Sequence, residues 1–174
     1  MCISFREITK ANFRECVTLT VREDQKYVAS NVYSIAESKV QPEYIPLAIY
    51  DDETMVGFIM YALEYPKKQL YLCRFMIDRR YQHKGYGKGA LDALKAMAME
   101  DSRIERIELS TKPDNTYGIR VYEKFGFKDT GILDGDEEVF VLDLQKAGRQ
   151  DKSPGIDVPS RPSGSSRGAG RLPA

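Results

Sequence analysis

One histidine, His83, and three cysteines, Cys2, Cys16 and Cys73, are all that this 174-residue chain has of the usual zinc-binding nitrogen and sulfur side chains. No two cysteines stand in CxxC spacing, so neither a zinc site nor a disulfide framework has the residues it needs. Long apolar runs are also missing: none approaches membrane-spanning length, and Met1–Lys10 is too short and mixed for a secretory segment. These absences predict a cytoplasmic protein with reduced thiols, no metal and no membrane partner. Net charge is absent too, at a formal value of zero, with 26 basic and 26 acidic residues. The balance hides an asymmetry: residues 145–174 carry six Lys or Arg against two Asp, leaving 20 basic and 24 acidic residues in 1–144. A mildly acidic body argues against a nucleic-acid partner and is compatible with a cationic small substrate.

Hydrophobic residues make up 42% of the chain, enough for one domain with a core. From Gln145 onward aromatic residues disappear, and four Pro with many Gly and Ser take over. Such a segment cannot bury enough apolar surface to offset its ordering entropy. The sequence therefore predicts a folded domain over 1–144 and a disordered, Pro/Gly/Ser-rich basic tail over 145–174.

Within 1–144, alternation predicts a strand over Ile3–Ile8, and helical spacing predicts helices over Asn12–Leu19 and Glu23–Val40. Strands are expected at Leu47–Tyr50, Met55–Leu63 and Leu70–Ile77, the first two joined by the turn Asp51–Thr54. A helix from about Gly87 to Glu100, a strand at Arg106–Ser110 and a helix over Asn115–Phe125 follow, the last with Asn115 as N-cap and Gly126 as C-cap. Strands at Phe127–Leu133 and Glu138–Leu144 close the domain. This order makes a mixed α/β sheet covered by helices, not a doubly wound nucleotide fold.

The most informative stretch is Gln82-His83-Lys84-Gly85-Tyr86-Gly87-Lys88-Gly89, between a strand and a helix start. A helix N-terminus has unpartnered N–H groups and a partial positive charge, and glycines let a phosphate approach them. Among phosphate-binding patterns, the dinucleotide fingerprint fits loosely and in the wrong topology. The P-loop pattern fails because Gly89 follows Lys88. The stretch resembles the pyrophosphate loop of the GNAT acyltransferases, Gln/Arg-x-x-Gly-x-Gly/Ala, through Gln82, Gly85 and Gly87. Asn115 to Phe127 resembles that family's second cofactor segment, Asn-x-x-Ala-x-x-x-Tyr-x-x-x-Gly-Phe, with Gly118 in place of Ala, which loosens the helix slightly. Shorter echoes at Tyr71–Asp78, Val56–Tyr61 and Gly131–Asp134 are similar to bacterial spermine/spermidine (diamine) N-acetyltransferases.

The resemblance, covering roughly residues 1–144, implies a mostly antiparallel sheet of about seven strands, helices on both faces, and a splay between the strands at 70–77 and 105–110. It implies acetyl-CoA as co-substrate. The backbone of His83, Lys84, Gly85, Tyr86, Gly87 and Lys88, beside Gln82, would hold the pyrophosphate. Phe75, Met76 and Ile77 would pair with the pantetheine through main-chain groups. Asn115 either caps its helix or touches the cofactor. Acetyl transfer to an amine needs the amine deprotonated, a donor for the oxyanion and a proton for the leaving thiolate. Tyr122 matches the family's tyrosine acid; its plainer reading is a core aromatic.

Cys73 stands where the relatives' signature has Asp, so a carboxylate expected near the substrate is missing. As a nucleophile it lacks a paired histidine. Glu23, Asp24, Glu37 and Glu64 are the acidic candidates for holding a cationic acceptor; singly, each reads as an ordinary surface charge. The expected activity is N-acetylation of a small amine, with spermine or spermidine foremost. An aminoglycoside-type or protein N-acetyltransferase and a non-catalytic CoA-binding sensor are the alternatives. Relatives of this kind are often homodimers, though no interface is legible here.

Overall fold

The strand-forming runs between Ile45 and Ile77 are joined by short connections, and this makes neighbours in sequence neighbours in the sheet. The computed structural model describes residues 1–25 and 27–144. The expected tail at 145–174 lies outside the described residues. Four strands come first: β1 (Ile3–Glu7), β2 (Ile45–Asp51), β3 (Thr54–Glu64) and β4 (Gln69–Ile77). They pair in sequence order and antiparallel. Three more, β5 (Arg106–Thr111), β6 (Lys128–Asp134) and β7 (Glu137–Asp143), complete a seven-stranded sheet in the order β1-β2-β3-β4-β5-β7-β6. The expected mixed, mostly antiparallel sheet is observed, with β4–β5 as the parallel pair.

Helices cover both faces. On one, α1 (Phe13–Thr18) and α2 (Asn31–Val40) pack over Ala48, Met55, Phe58, Met60 and Met76. On the other, α3 (Tyr86–Glu100) and α4 (Thr116–Phe125) close the larger core around Ile59, Leu70, Leu72, Ile107 and Leu109. The buried stripe of α3 is Ala90, Leu91, Leu94 and Ala98, the spacing of one helical face.

One expectation needs correction. The sequence predicts a helix over Glu23–Val40, but α2 begins only at Asn31. Ser30 is its N-cap, its hydroxyl accepting from the Tyr33 N–H at 3.2 Å. Tyr27 and Val28 fit the helical period but belong to the preceding loop. Val28 packs on the core from there, and the Tyr27 hydroxyl donates to the Asp114 carbonyl at 3.0 Å, across the sheet's open end.

Two features of β4 position the site. Its pairing with β5 is confined to Gln69–Arg106, Leu70–Ile107 and Tyr71–Glu108. Past this fork the two strands part. The register against β3 also jumps from Leu72 to Arg74, leaving Cys73 as a bulge just beyond the fork. The β4 edge from Leu72 to Ile77 is thus paired to β3 and unpaired toward β5.

Candidate functional site at the fork of the sheet

A cavity of about 470 Å³ occupies the gap beyond the fork. Its floor is Phe75, Met76 and Ile77 of β4, one wall is the glycine turn and the first turns of α3, and the other is α4. The loop between α1 and α2 roofs it with Val21, Gln25, Tyr27 and Val28.

The glycine turn acquires its shape from three different constraints. Gly85 sits at φ +89°, a left-handed conformation that side-chain-bearing residues rarely adopt. Gly87 lines the cavity, and a Cβ there would meet nothing closer than Ile77 at 3.9 Å. Gly89 differs from the sequence expectation that all three glycines clear space for a phosphate. A Cβ at 89 would press on Met1 at 2.9 Å and Ile3 at 3.1 Å, so this glycine lets α3 approach β1. The first helical bond of α3 runs from the Gly89 N–H to the Gly85 carbonyl at 3.0 Å. The N–H groups of Gly85, Tyr86, Gly87 and Lys88 therefore have no intrahelical acceptor.

Gln82 anchors the turn. Its Nε2 donates to the Ile77 carbonyl at 2.9 Å and to Gln25 Oε1 at 2.7 Å, while its own Oε1 is buried without a partner among the described residues. His83 adopts φ +60° and turns its ring onto Tyr117, edge to face at 6.2 Å, with Arg22 Nη1 3.4 Å from its Nε2. His83 and Lys88 line the cavity. The side chains of Lys84 and Tyr86 do not. Both gather around Tyr81, Lys84 Nζ at 5.6 Å from the ring centroid and Tyr86 edge-on at 5.9 Å.

On α4, Asn115 is an N-cap, as predicted: its Oδ1 accepts from the Gly118 N–H at 3.1 Å and its Nδ2 donates to Thr111 Oγ1 at 2.8 Å. The same residue also lines the cavity. A Cβ at Gly118 would lie 2.5 Å from Asn115 Nδ2, so glycine at this position is what lets the cap fold over the helix. At the other end Gly126, at φ +116°, donates to the carbonyls of Tyr122 and Glu123, and Phe127 donates to Tyr122 again. Tyr122 is thereby fixed in the last turn, its ring edge-on to Phe127 at 5.7 Å, in the cavity wall. Burial pushes its phenol up to about 12, so it is protonated at neutral pH. Its hydroxyl makes no side-chain hydrogen bond among the described residues, whereas Tyr27 and Tyr71 both do.

The five residues expected on the acceptor side do not line the cavity. Glu37 is bound to Arg74 at 3.0 Å, Glu64 to Lys67 at 3.0 Å, and Asp24 to Arg22 at 3.2 Å. Glu23 is exposed in the roof loop. Cys73 is partly buried, its Sγ 3.6 Å from the Tyr71 carbonyl, and burial pushes its thiol up to about 12, which leaves it protonated. Residues the sequence reading missed are the roof, Val21, Gln25, Tyr27 and Val28, and the wall residues Leu91, Tyr117, Val121, Lys124 and Phe125. No spacing marks the roof, because its contacts reach 57 and 87 residues along the chain. No helix among the described residues is long and apolar enough to cross a membrane, and none of their His, Cys, Asp and Glu side chains cluster as a metal site.

A forked sheet with a glycine-rich helix start against its gap has counterparts. A model of the acetyltransferase (GNAT) family matches residues 5–127. The spermine/spermidine N(1)-acetyltransferase of Bacillus subtilis (strain 168) is 36% identical over 152 residues, spanning 83% of this chain and all of that protein. Among solved structures, the PaiA N-acetyltransferase from Thermoplasma acidophilum in complex with coenzyme A superposes with a TM-score of 0.61 at 21% identity, over 82% of this chain and 99% of that one. The spermidine N-acetyltransferase from Vibrio cholerae in complex with CoA and spermine gives 0.63 at 15% identity, over 83% and 96%. These two share the fold; the sequence matches carry the relationship. The chain belongs to the GNAT family of acetyltransferases, whose members bind CoA or acetyl-CoA.

Proposed function

We propose that the chain transfers the acetyl group of acetyl-CoA to a primary amine of spermine or spermidine. The observation that carries this reading is the cavity at the fork, which combines free backbone donors, an unpaired strand edge and a protonated tyrosine in one space. The B. subtilis relative named for spermine and spermidine supports the acceptor.

The residues present fit the co-substrate. Gly85 to Lys88 offer four N–H groups and a helix dipole to a pyrophosphate, with no Cβ at Gly85 or Gly87 to hold it away. The Leu72–Ile77 edge offers main-chain groups to an extended amide-bearing arm, in the manner of an added strand. When bound, acetyl-CoA supplies the acetyl group as an activated thioester. Tyr122 then acts as the acid: its phenol keeps its proton at neutral pH and delivers it toward the departing sulfur. Cys73, protonated and unpaired with a histidine, takes no covalent part.

An acetylation screen read by thiol release tests the reading, over spermine, spermidine, aminoglycosides and peptides. Spermine and spermidine are expected to be turned over with the highest kcat/KM. Turnover of aminoglycosides or peptides alone would replace the acceptor. Tight acetyl-CoA binding without turnover of any amine would leave a CoA-sensing module.

A further inference from the structure

On the sheet face that carries α1 and α2, a chain of hydroxyls crosses the fork, and no part of the activity above uses it. Tyr71 is the last β4 residue paired to β5. Its hydroxyl does not point back along the paired segment; it reaches Ser110 Oγ, two residues past its backbone partner Glu108, at 2.9 Å. Ser110 Oγ in turn donates to Glu137 Oε2 at 2.5 Å, at the start of β7. The three side chains are partly buried and span the root of the gap.

The direction of this chain is fixed by counting protons. An ionised carboxylate only accepts, and a serine hydroxyl has one hydrogen. Ser110 spends its hydrogen on Glu137, so toward Tyr71 it can only accept. Tyr71 must then donate to Ser110, and its phenol oxygen has only lone pairs left for anything that approaches. Glu137 forms no ion pair among the described residues; Lys112, the cation within its electrostatic reach, is bound to Asp136. Burial above all raises the Tyr71 phenol, the Ser110 hydrogen bond lowers it, and Cys73, Glu137 and Asp134 add to the rise. Among the described residues, no Lys or Arg bonds the side chain of Tyr71, Ser110 or Glu137.

We infer that Tyr71, oriented by Ser110 and Glu137, is the seat for the acceptor's ammonium group at the fork, its phenol oxygen accepting the N–H and Glu137 supplying the counter-charge. The ligand class is a primary alkylammonium, and the inference rests on the amine-acceptor reading above. Tyr71 touches the substrate; Ser110 and Glu137 are positioning residues that act through it. Carboxylates already tied to a protein cation, such as Glu37 and Glu64, are poorer seats, because an incoming amine would have to displace Arg74 or Lys67.

Calorimetry of spermine binding to the full chain at saturating CoA tests this without turnover. Tyr71→Phe and Ser110→Ala are each expected to weaken spermine binding about tenfold or more, the loss of a hydrogen bond to a charged group. Glu137→Gln keeps an acceptor for Ser110 and removes only the charge, so a smaller, salt-sensitive loss is expected. Ser110→Thr restores the hydroxyl and is expected to restore affinity. CoA affinity should stay at the wild-type value in all four, and the melting temperature should fall by no more than a few degrees. Unchanged spermine affinity in Tyr71→Phe, or a Ser110→Thr that behaves as Ser110→Ala, overturns the seat while leaving the polyamine reading standing. A wild-type chain that binds CoA but no spermine overturns both.

Discussion

At the scale of single residues, chemistry and packing can be separated by substitution. Tyr122→Phe keeps the ring contact with Phe127 and removes only the hydroxyl. Turnover is expected to fall about 100-fold or more, the usual contribution of a positioned acid, with acetyl-CoA affinity little changed; steady-state kinetics beside calorimetry checks both. Unaltered turnover would return Tyr122 to the role of a core aromatic. Gly118 poses the opposite problem. Alanine there gains up to about 1 kcal/mol of helix propensity. Its Cβ expels the Asn115 side chain, though, losing a cap worth about 1 kcal/mol and the bond to Thr111, worth about another. Gly118→Ala is therefore expected to destabilise by about 1 kcal/mol in urea unfolding. In an Asn115→Ala background, where no cap remains to be lost, the same change should stabilise. The same loss in both backgrounds would mean that the cap is not what glycine serves. The sequence marks position 118 as a departure from the GNAT pattern and expects a slightly loosened helix; the compensating contact is made by a side chain three residues away and shows only in the fold.

At the scale of elements, what could be read from the sequence was whatever repeats locally. All seven strands, α1, α3 and α4 lie within a few residues of their expected spans, since alternation, helical spacing and the Asn115 and Gly126 caps are short-range signals. The roof loop was misread as helix because Tyr27 and Val28 are apolar for a tertiary reason: they cover a cavity and a core, not a helix face. Only Ser30, a good N-cap, hinted at the later start. The loop is held at its near end by Asp78, just after β4, which is 2% exposed. Asp78 accepts from the Thr20 N–H at 3.0 Å, the Arg80 N–H at 3.0 Å and Arg80 Nε at 2.7 Å. Burial pushes this carboxyl up, but Arg80 and the two amides outweigh it, and the net pKa lies below the ordinary value. A folded-state value below the unfolded one gives stability that is present above about pH 4 and lost as pH falls through the folded value. Asp78→Asn is expected to cost about 2 kcal/mol at neutral pH. The gap to wild type should narrow below about pH 4, as followed by urea midpoints. A gap that stays constant with pH would exclude the carboxylate as its source.

At the scale of the molecule, the sheet is two blocks, β1–β4 and β5–β7, joined by three backbone pairs and bridged on one face by α3, which packs on β1, β4 and β5. A ligand lying in the gap binds the folded state alone, so acetyl-CoA at 100 times its Kd should add about 2.7 kcal/mol. For a chain of this size that raises the melting temperature by roughly 5–10 °C. A chain ending at residue 144 is expected to show the same midpoint and the same rise; a lower midpoint would place residues 145–174 within the cooperative fold. The parting of β4 from β5 also leaves an isotopic signature. Backbone amides along a strand point alternately to its two neighbours. Between Leu72 and Ile77 one set of amides is therefore shielded by β3, while the interleaved set faces the open gap. In deuterated solvent the apo chain should exchange along this stretch in a fast–slow alternation whose phase shifts at the Cys73 bulge. Acetyl-CoA should slow the fast set alone, making the strand a ruler on which the co-substrate's position can be read amide by amide.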